Sequence, residues 1–365
     1  MAHSTCKLPD GAVLAYDVLG SSFLGDELPL VLVCGMSSAR ADWVRLSATW
    51  AQTRPVLVYD HRGIGDSTSP PGVEPGADEF TMETLGRDLA FLIGHLGWRE
   101  VAILGFSMGG VVLQEMLVLP YHPTNPTPLP FRSTHVILAC TRAEVLRDPS
   151  YGLQNVPEPS TRPPTNAERY ERVRRTIAAT VDPMWIEKHG KHIDFIIQGV
   201  LTGSPRSLHT INRKRRQLQS FDFAALLEKI PADIKVLVIH GELDQIIPFE
   251  CSRGILRRIP HARFVEIGPE PGRLPSLQFG HNFTLYFPVQ IWENFLKGFL
   301  STSAAETIPP SAEAKTTPPA LETAPTSRLA PATSEPPILS DTTANSASRG
   351  VSEPPPATAA NLMDR

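Results

Sequence analysis

Cysteine is scarce in this chain. Four residues in 365, Cys6, Cys34, Cys140 and Cys251, share no C-x-x-C spacing. That excludes a disulfide framework and points to a reducing compartment, with Cys34 and Cys140 read as small core residues inside apolar runs. Charge of one sign is also missing. Lys and Arg number 34 against 38 Asp and Glu, a net of −4, so the basic excess expected of a nucleic-acid partner is absent. No apolar run approaches the ~20 residues of a membrane span. Met1 to Leu8 is polar and lacks the apolar core of a secretory signal, and the terminal Met363-Asp364-Arg365 matches no retention or peroxisomal address. A soluble cytoplasmic protein is expected. Aromatic residues vanish after Leu300: Ser301 to Arg365 is built mainly of Pro, Ala, Ser, Thr and Glu. Such a stretch buries too little apolar surface to offset its ordering entropy, so a disordered tail is expected over 301–365 and a single domain over 1–300.

What is present is an ordered apolar pattern, with 41% hydrophobic residues. Gly11 to Gly20 reads as a strand pair. Leu28 to Gly35 is continuously apolar, as central parallel strands are. Helical spacing follows over Ala41 to Gln52, with Trp43, Leu46 and Trp50 on one face. Pro55 to Asp60 is a strand, and Thr81 to Leu96 an amphipathic helix with Leu85, Leu89, Leu92 and Leu96 in register. Val101 to Leu104, Thr134 to Cys140, Ile234 to His240 and Arg263 to Ile267 are further strands. Phe283 to Leu300 closes the domain as a helix. Strands alternating with helices predict an α/β fold, a doubly wound and mostly parallel sheet flanked by helices. Thr141 to Pro231 breaks the alternation. It carries helical patterns (Asn166 to Val181, Pro183 to Val200, Ser207 to Lys229) and no convincing strand. An insertion of that kind, about 141–231, reads as a helical lid over the sheet's carboxyl edge, where open α/β sheets bind ligands.

The sharpest motif is Gly105-Phe106-Ser107-Met108-Gly109. It joins the Val101 to Leu104 strand to the helix-like Val111 to Leu119. A nucleophilic serine needs such a sharp strand-to-helix turn, with small residues on either side so that the turn does not clash. The opening helix then aims N–H groups at a developing oxyanion. Two further residues follow in an order that suits Ser107. Asp244 lies in the loop after a buried strand, in Gly241-Glu242-Leu243-Asp244 with Pro248 beyond. His281 stands in Gly280-His281-Asn282, directly before the last helix.

With these residues in place, the chain resembles the α/β-hydrolase fold superfamily. The Asp60-His61-Arg62-Gly63-Ile64-Gly65-Asp66-Ser67 stretch is similar to that family's D-x-R-G-x-G-x-S loop, and the likeness spans roughly Leu8 to Leu300. The resemblance implies Ser107 as nucleophile, His281 as general base and Asp244 as its orienting acid. It also implies an oxyanion hole from the backbone N–H groups of Met108 and Met36. The chain departs from relatives in carrying Cys34-Gly35-Met36 where many carry His-Gly, and in a long loop over Gly268 to Gln278. Glu144 is a fallback acid and Glu242 a nearer rival to Asp244. Asp60 and Arg62 are expected to brace a turn and His240 to be a packed histidine. Arg213 to Arg216 is read as the solvated face of a helix. His61, His189 and His192 have no ligand pattern, so no metal and no cofactor are assigned.

The implied activity is a serine hydrolase acting on a small-molecule acyl substrate: an ester, lactone or thioester. Acyl transfer, C–C hydrolysis and cofactor-free perhydrolysis use the same triad and stay open, as does a non-catalytic ligand receptor. Serine at position 107 argues against the aspartate-nucleophile members. Neither the substrate nor the oligomeric state is legible.

Overall fold

The computed structural model describes residues 3–73, 80–153, 162 and 164–301. The chain divides into two units, Met1–Ile308 and Pro309–Arg365, and everything described belongs to the first. The tail expected over 301–365 lies outside the described residues but for Ser301.

The strands are β1 (Ser4–Lys7), β2 (Val13–Leu19), β3 (Leu30–Val33), β4 (Val56–Tyr59), β5 (Glu100–Phe106), β6 (Arg132–Ala139), β7 (Lys235–Ile239) and β8 (Arg263–Phe264). They form one eight-stranded sheet in the order β1-β2-β4-β3-β5-β6-β7-β8. β1–β2 and β2–β4 pair antiparallel and the rest parallel. The helices are α1 (Val44–Trp50), α2 (Met82–His95), α3 (Met108–Val118), α4 (Asn166–Ala179), α5 (Pro183–Lys188), α6 (Gly190–Thr202), α7 (Leu208–Gln217), α8 (Glu250–Arg258) and α9 (Val289–Leu300).

The central strands are apolar on both faces because both faces are covered. Val31, Val33, Val101, Ile103, Val136 and Leu138 join one core with Leu85 and Leu89 of α2, Val112 of α3 and Ile255 of α8. Their neighbours Leu30, Leu32, Ala102, Leu104, Ile137 and Ala139 join a second core with Leu46 and Trp50 of α1 and Trp292 and Phe295 of α9. The period of two in each strand thus feeds two cores at once. All four cysteines are free thiols, with Cys6, Cys34 and Cys140 buried.

Several element boundaries differ from those expected. The N-terminal strand pair reaches back to Ser4, because the polar run before Leu8 pairs with β2 as an edge strand. The helix expected from Ala41 opens as a 3-10 turn over Arg40–Trp43. The one expected from Phe283 begins only at Val289, after Pro288, since proline restricts the residue before it. The last strand is two residues long. The helical patterns of the insertion are broken twice. His189 leaves helical geometry between α5 and α6, and Phe221 stacks on Phe223 beyond α7.

The insertion is two parts, not one. Ile177, Val181, Trp185, Ile193 and Ile197 of its α4–α6 stretch form their own small core, whereas Ile211 of α7 joins the main one. The segment just before α7 is stitched to the loop after β4. Gly65 N–H donates to Pro205 O at 2.8 Å, Ile64 bridges Arg206, and Arg206 Nη1 donates to Ser37 O at 3.0 Å. The solvated face expected for Arg213 to Arg216 is corrected here: Lys214 is fully buried, and only Arg216 of the four is exposed. The run crosses the helix edge, so helical periodicity turns its second residue inward.

Candidate active site

β5 ends at Phe106 and α3 begins at Met108, so a single residue makes the turn. Ser107 takes φ 55° and ψ −121°, a region that non-glycine residues avoid and that costs of order 1–3 kcal/mol. The surrounding glycines make the turn sterically feasible. A Cβ on Gly105 would stand 2.6 Å from Gly109 O, and one on Gly109 only 2.2 Å from Val33 O. Strand, turn and helix therefore pack backbone to backbone, which no larger residue permits.

The parallel register brings the ends of β5 and β7 to the same edge. There Asp244 and His281 meet Ser107. His281 Nε2 lies 2.9 Å from Ser107 Oγ, and His281 Nδ1 lies 2.8 Å from Asp244 Oδ2. The carboxylate can only accept, so Nδ1 carries the hydrogen and Nε2 is the acceptor for the serine hydroxyl. Asp244 is held by a turn of its own, with Oδ1 accepting from Ile246 N–H and Ile247 N–H at 2.9 Å each. Burial pushes its carboxyl up, but His281 and His240 beside it outweigh that and hold it well below the usual carboxylate range. Both His281 and Asp244 are buried, and the Phe106 ring packs 5.1 Å from the His281 ring.

His240 is more than a packed histidine. Its Nε2 is 3.0 Å from Ile247 O and 3.2 Å from Asp244 Oδ2, so it supports the same carboxylate oxygen that His281 Nδ1 meets. The signal available in the sequence was its place at a strand end four residues before Asp244. Met36 and Met108 line the same cavity as Ser107 and His281. A Cβ on Gly35 would fall 3.5 Å from Ser107 Cβ, so the β3 loop runs directly beside the serine.

The rival carboxylates are elsewhere. Glu144 pairs with Arg258 at 2.8 Å on the surface, and Glu242 accepts from Gln278 Nε2. Asp60 accepts from Arg40 N–H at 2.7 Å and Asp66 N–H at 3.1 Å. Arg62 grips buried Asp88 with two bonds of 2.7 Å. Both brace the loop after β4, as expected. His61 Nε2 lies 3.1 Å from Cys34 O, and His189 and His192 pack on Trp185. Among the described residues, Glu83, Glu115 and His122 come close enough to be weighed as metal donors. The two carboxylates face different nitrogens of one ring, Glu115 at 2.8 Å from Nε2 and Glu83 at 3.7 Å from Nδ1. The His122 ring is thus shared between the two carboxylates.

The cavity above the serine holds about 1890 Å³ and is walled by the β3 loop, α4, α6 and α7 as well as by the sheet edge. Among the described residues no helix is long and apolar enough to cross a membrane.

A mostly parallel sheet of this order, with a strained serine between strand and helix and an acid and histidine from later loops at the same edge, defines a hydrolase of the α/β type. The chain belongs to the alpha/beta hydrolase family, whose sequence model matches residues 30–278. It is 25% identical over 294 residues to RutD of Caulobacter segnis, named as a candidate carbamate hydrolase, covering 78% of this chain and 95% of that one. A shorter stretch of 88 residues is 35% identical to the soluble epoxide hydrolase of a Corynebacterium species, covering 24% of this chain and 29% of that one. Among solved structures, the fold matches MGS-M2, an alpha/beta hydrolase enzyme from a Medee basin deep-sea metagenome library. The TM-score is 0.60 at 16% identity, over 84% of this chain and 100% of the other. A hydrolase from Pseudomonas aeruginosa PA01 matches with TM-score 0.58 at 24% identity, over 82% of this chain and 98% of that one.

Proposed function

We propose that the protein is a serine hydrolase that cleaves a carboxylic ester, lactone or thioester through an acyl-enzyme, with Ser107 as nucleophile, His281 as general base and Asp244 as its orienting acid. The observation that carries the reading is the continuous relay Ser107 Oγ, His281 Nε2, His281 Nδ1 and Asp244 Oδ2, with links of 2.9 and 2.8 Å. Nucleophile and base lie within hydrogen-bond reach and the base is oriented by a third group, which is the arrangement an activated serine needs. His281 takes the hydroxyl proton as Oγ attacks the carbonyl carbon. Asp244 stabilises the imidazolium that forms. The oxyanion that develops faces the N–H groups of Met36 and Met108. The imidazolium then protonates the leaving group, and water, activated by the same histidine, releases the acid. Each oxyanion donor is worth ~10²–10³ in turnover. The chemistry calls for no metal or cofactor.

Labelling with a fluorophosphonate probe, followed by peptide mapping, tests the assignment. Wild type should be labelled at Ser107, while Ser107→Ala and His281→Ala should not be. A folded wild-type protein that stays unlabelled would falsify the proposal. Turnover of p-nitrophenyl esters, lactones and acyl-thioesters then sorts the substrate class. Carbamates join that screen because RutD of Caulobacter segnis carries that bond in its name.

A further inference from the structure

The chain turns sharply where β6 ends. Cys140 adopts φ 46°, and the next two residues pass over the start of α3. Thr141 Oγ1 donates to Ser107 O at 2.6 Å. Buried Gln114 of α3 uses its amide to reach both Gly110 O, at 2.9 Å, and Arg142 O, at 3.0 Å. The backbone of Arg142 is thereby fixed to the helix that carries the nucleophile. Arg142 is among the residues that line the same cavity as Ser107 and His281.

Arg142 is a buried cation without a counter-charge. The residue is only 6% exposed. One nitrogen, Nη2, donates to Leu218 O at 2.8 Å, and the guanidinium lies 5.6 Å from the centre of the Phe221 ring. Among the described residues it forms no ion pair. The four carboxylates that line the cavity are engaged elsewhere: Asp42 with Arg206, Glu168 with Arg162, Glu171 with Arg175, and Asp148 with the Ser150 hydroxyl. Burial alone draws the guanidinium down to about 10, with the Cys251 thiol the only opposing influence. A charge removed from water without a partner is costly, and the cost is recovered when an anion arrives. Elsewhere the chain does supply buried arginines with partners, as Arg62 has in Asp88. The Arg142 guanidinium offers one positive charge in the planar geometry that suits a carboxylate.

We propose that Arg142 is the anion-recognition residue of this cavity, and that the compounds cleaved at Ser107 carry a free carboxylate remote from the carbonyl under attack. Half-esters of dicarboxylic acids are the simplest members of that class. The inference rests on the hydrolase reading above and narrows it to a substrate class.

The test compares monomethyl and dimethyl esters of succinate, glutarate and adipate, so that only the charge at the far end changes. In the wild type the half-ester of the best-fitting chain length should exceed its diester in kcat/KM by at least ~10-fold, the factor that one charge-assisted hydrogen bond of 1.5–3 kcal/mol supplies. In Arg142→Met that ratio should fall to near one, and Arg142→Lys should restore part of it. The ratio is internal to one enzyme preparation, so partial misfolding of a variant cancels. A calorimetric arm does not depend on turnover: glutarate should bind Ser107→Ala protein and glutaramide should not. Diesters used as well as half-esters at every length would overturn the proposal. So would a preference for half-esters that survives in Arg142→Met. Failure of the hydrolase reading shows separately, as a wild type that neither reacts with fluorophosphonate nor cleaves any ester.

Discussion

The edge of the sheet and the α4–α6 part of the insertion face each other across one cavity and are built on opposite principles. At the edge, backbone meets backbone: the glycines flanking Ser107 leave no room for a methyl group, and Asp244 is fixed by two N–H donors and two histidines. The α4–α6 stretch has a five-residue core of its own. It leaves Met184 64% and Phe195 76% exposed, and its ion pairs lie on the surface. Chemistry demands sub-ångström placement, which dense packing supplies. Shaping a pocket demands only approximate enclosure.

Substitutions on the two sides should therefore differ in the size of their effects. Ser107→Ala removes the attacking atom and should lower ester turnover by on the order of 10⁴-fold or more, read by initial rates, with the melting temperature nearly unchanged. Asp88→Ala leaves the buried Arg62 guanidinium without its main partner. It should cost about 3–5 kcal/mol in urea unfolding, and a loss under 1 kcal/mol would mean that the brace after β4 is dispensable. Gly109→Ala pushes a methyl into Val33 O and Cys34 O. Overpacking of this kind costs about 1–3 kcal/mol, and the displaced β3 loop should take activity down with stability.

Lys214 runs the other way. Its ammonium is fully buried without a hydrogen-bond partner, and burial lowers its pKa to about 7. The unfolded chain, with a lysine pKa near 10.4, binds the extra proton between those values, so wild-type stability should rise as pH climbs from about 7 toward 10. Lys214→Met should be more stable than wild type at neutral pH, by roughly 1–4 kcal/mol, and should lose that pH dependence. The smallest effect belongs to the exposed face of α6: Phe195→Ser should shift stability by no more than about 0.5 kcal/mol in either direction.

Legibility in the sequence followed the same division. The central strands announced themselves because covering both faces of a sheet forces continuous apolar runs, as in Leu30–Val33. Ser107, Asp244 and His281 were legible because strand-end loops leave motifs around them. Residues that work through tertiary contact left none. His240 touches Asp244 only because a turn folds back, and Lys214 is hidden inside a run of four basic residues whose inward member depends on where α7 lies. The N-terminal edge strand was missed for a related reason: Ser4–Lys7 has one buried side chain, Cys6, so its place in the sheet comes from backbone pairing that side-chain pattern does not report. Arg142 leaves no motif either, since its burial and its Leu218 and Phe221 neighbours come from chain segments far away in sequence.

The stitching at residues 205 and 206 gives the insertion a seam. Gly65, Ile64 and Ser37 fasten the chain just upstream of α7 to loops that also flank the serine. The protein is therefore modular at a definable point. Everything beyond the seam toward α9 carries scaffold together with the Asp244 and His281 loops, while α4–α6 has an interior of its own and rests on the His281 loop, where Asn282 N–H donates to Thr180 O at 2.8 Å and Tyr286 Oη donates to Asp182 Oδ2 at 2.6 Å. A lineage altering its diet of substrates can rewrite that interior while keeping the contacts of Thr180 and Asp182 with the His281 loop. A protein engineer has the same suture line along which to graft another cap.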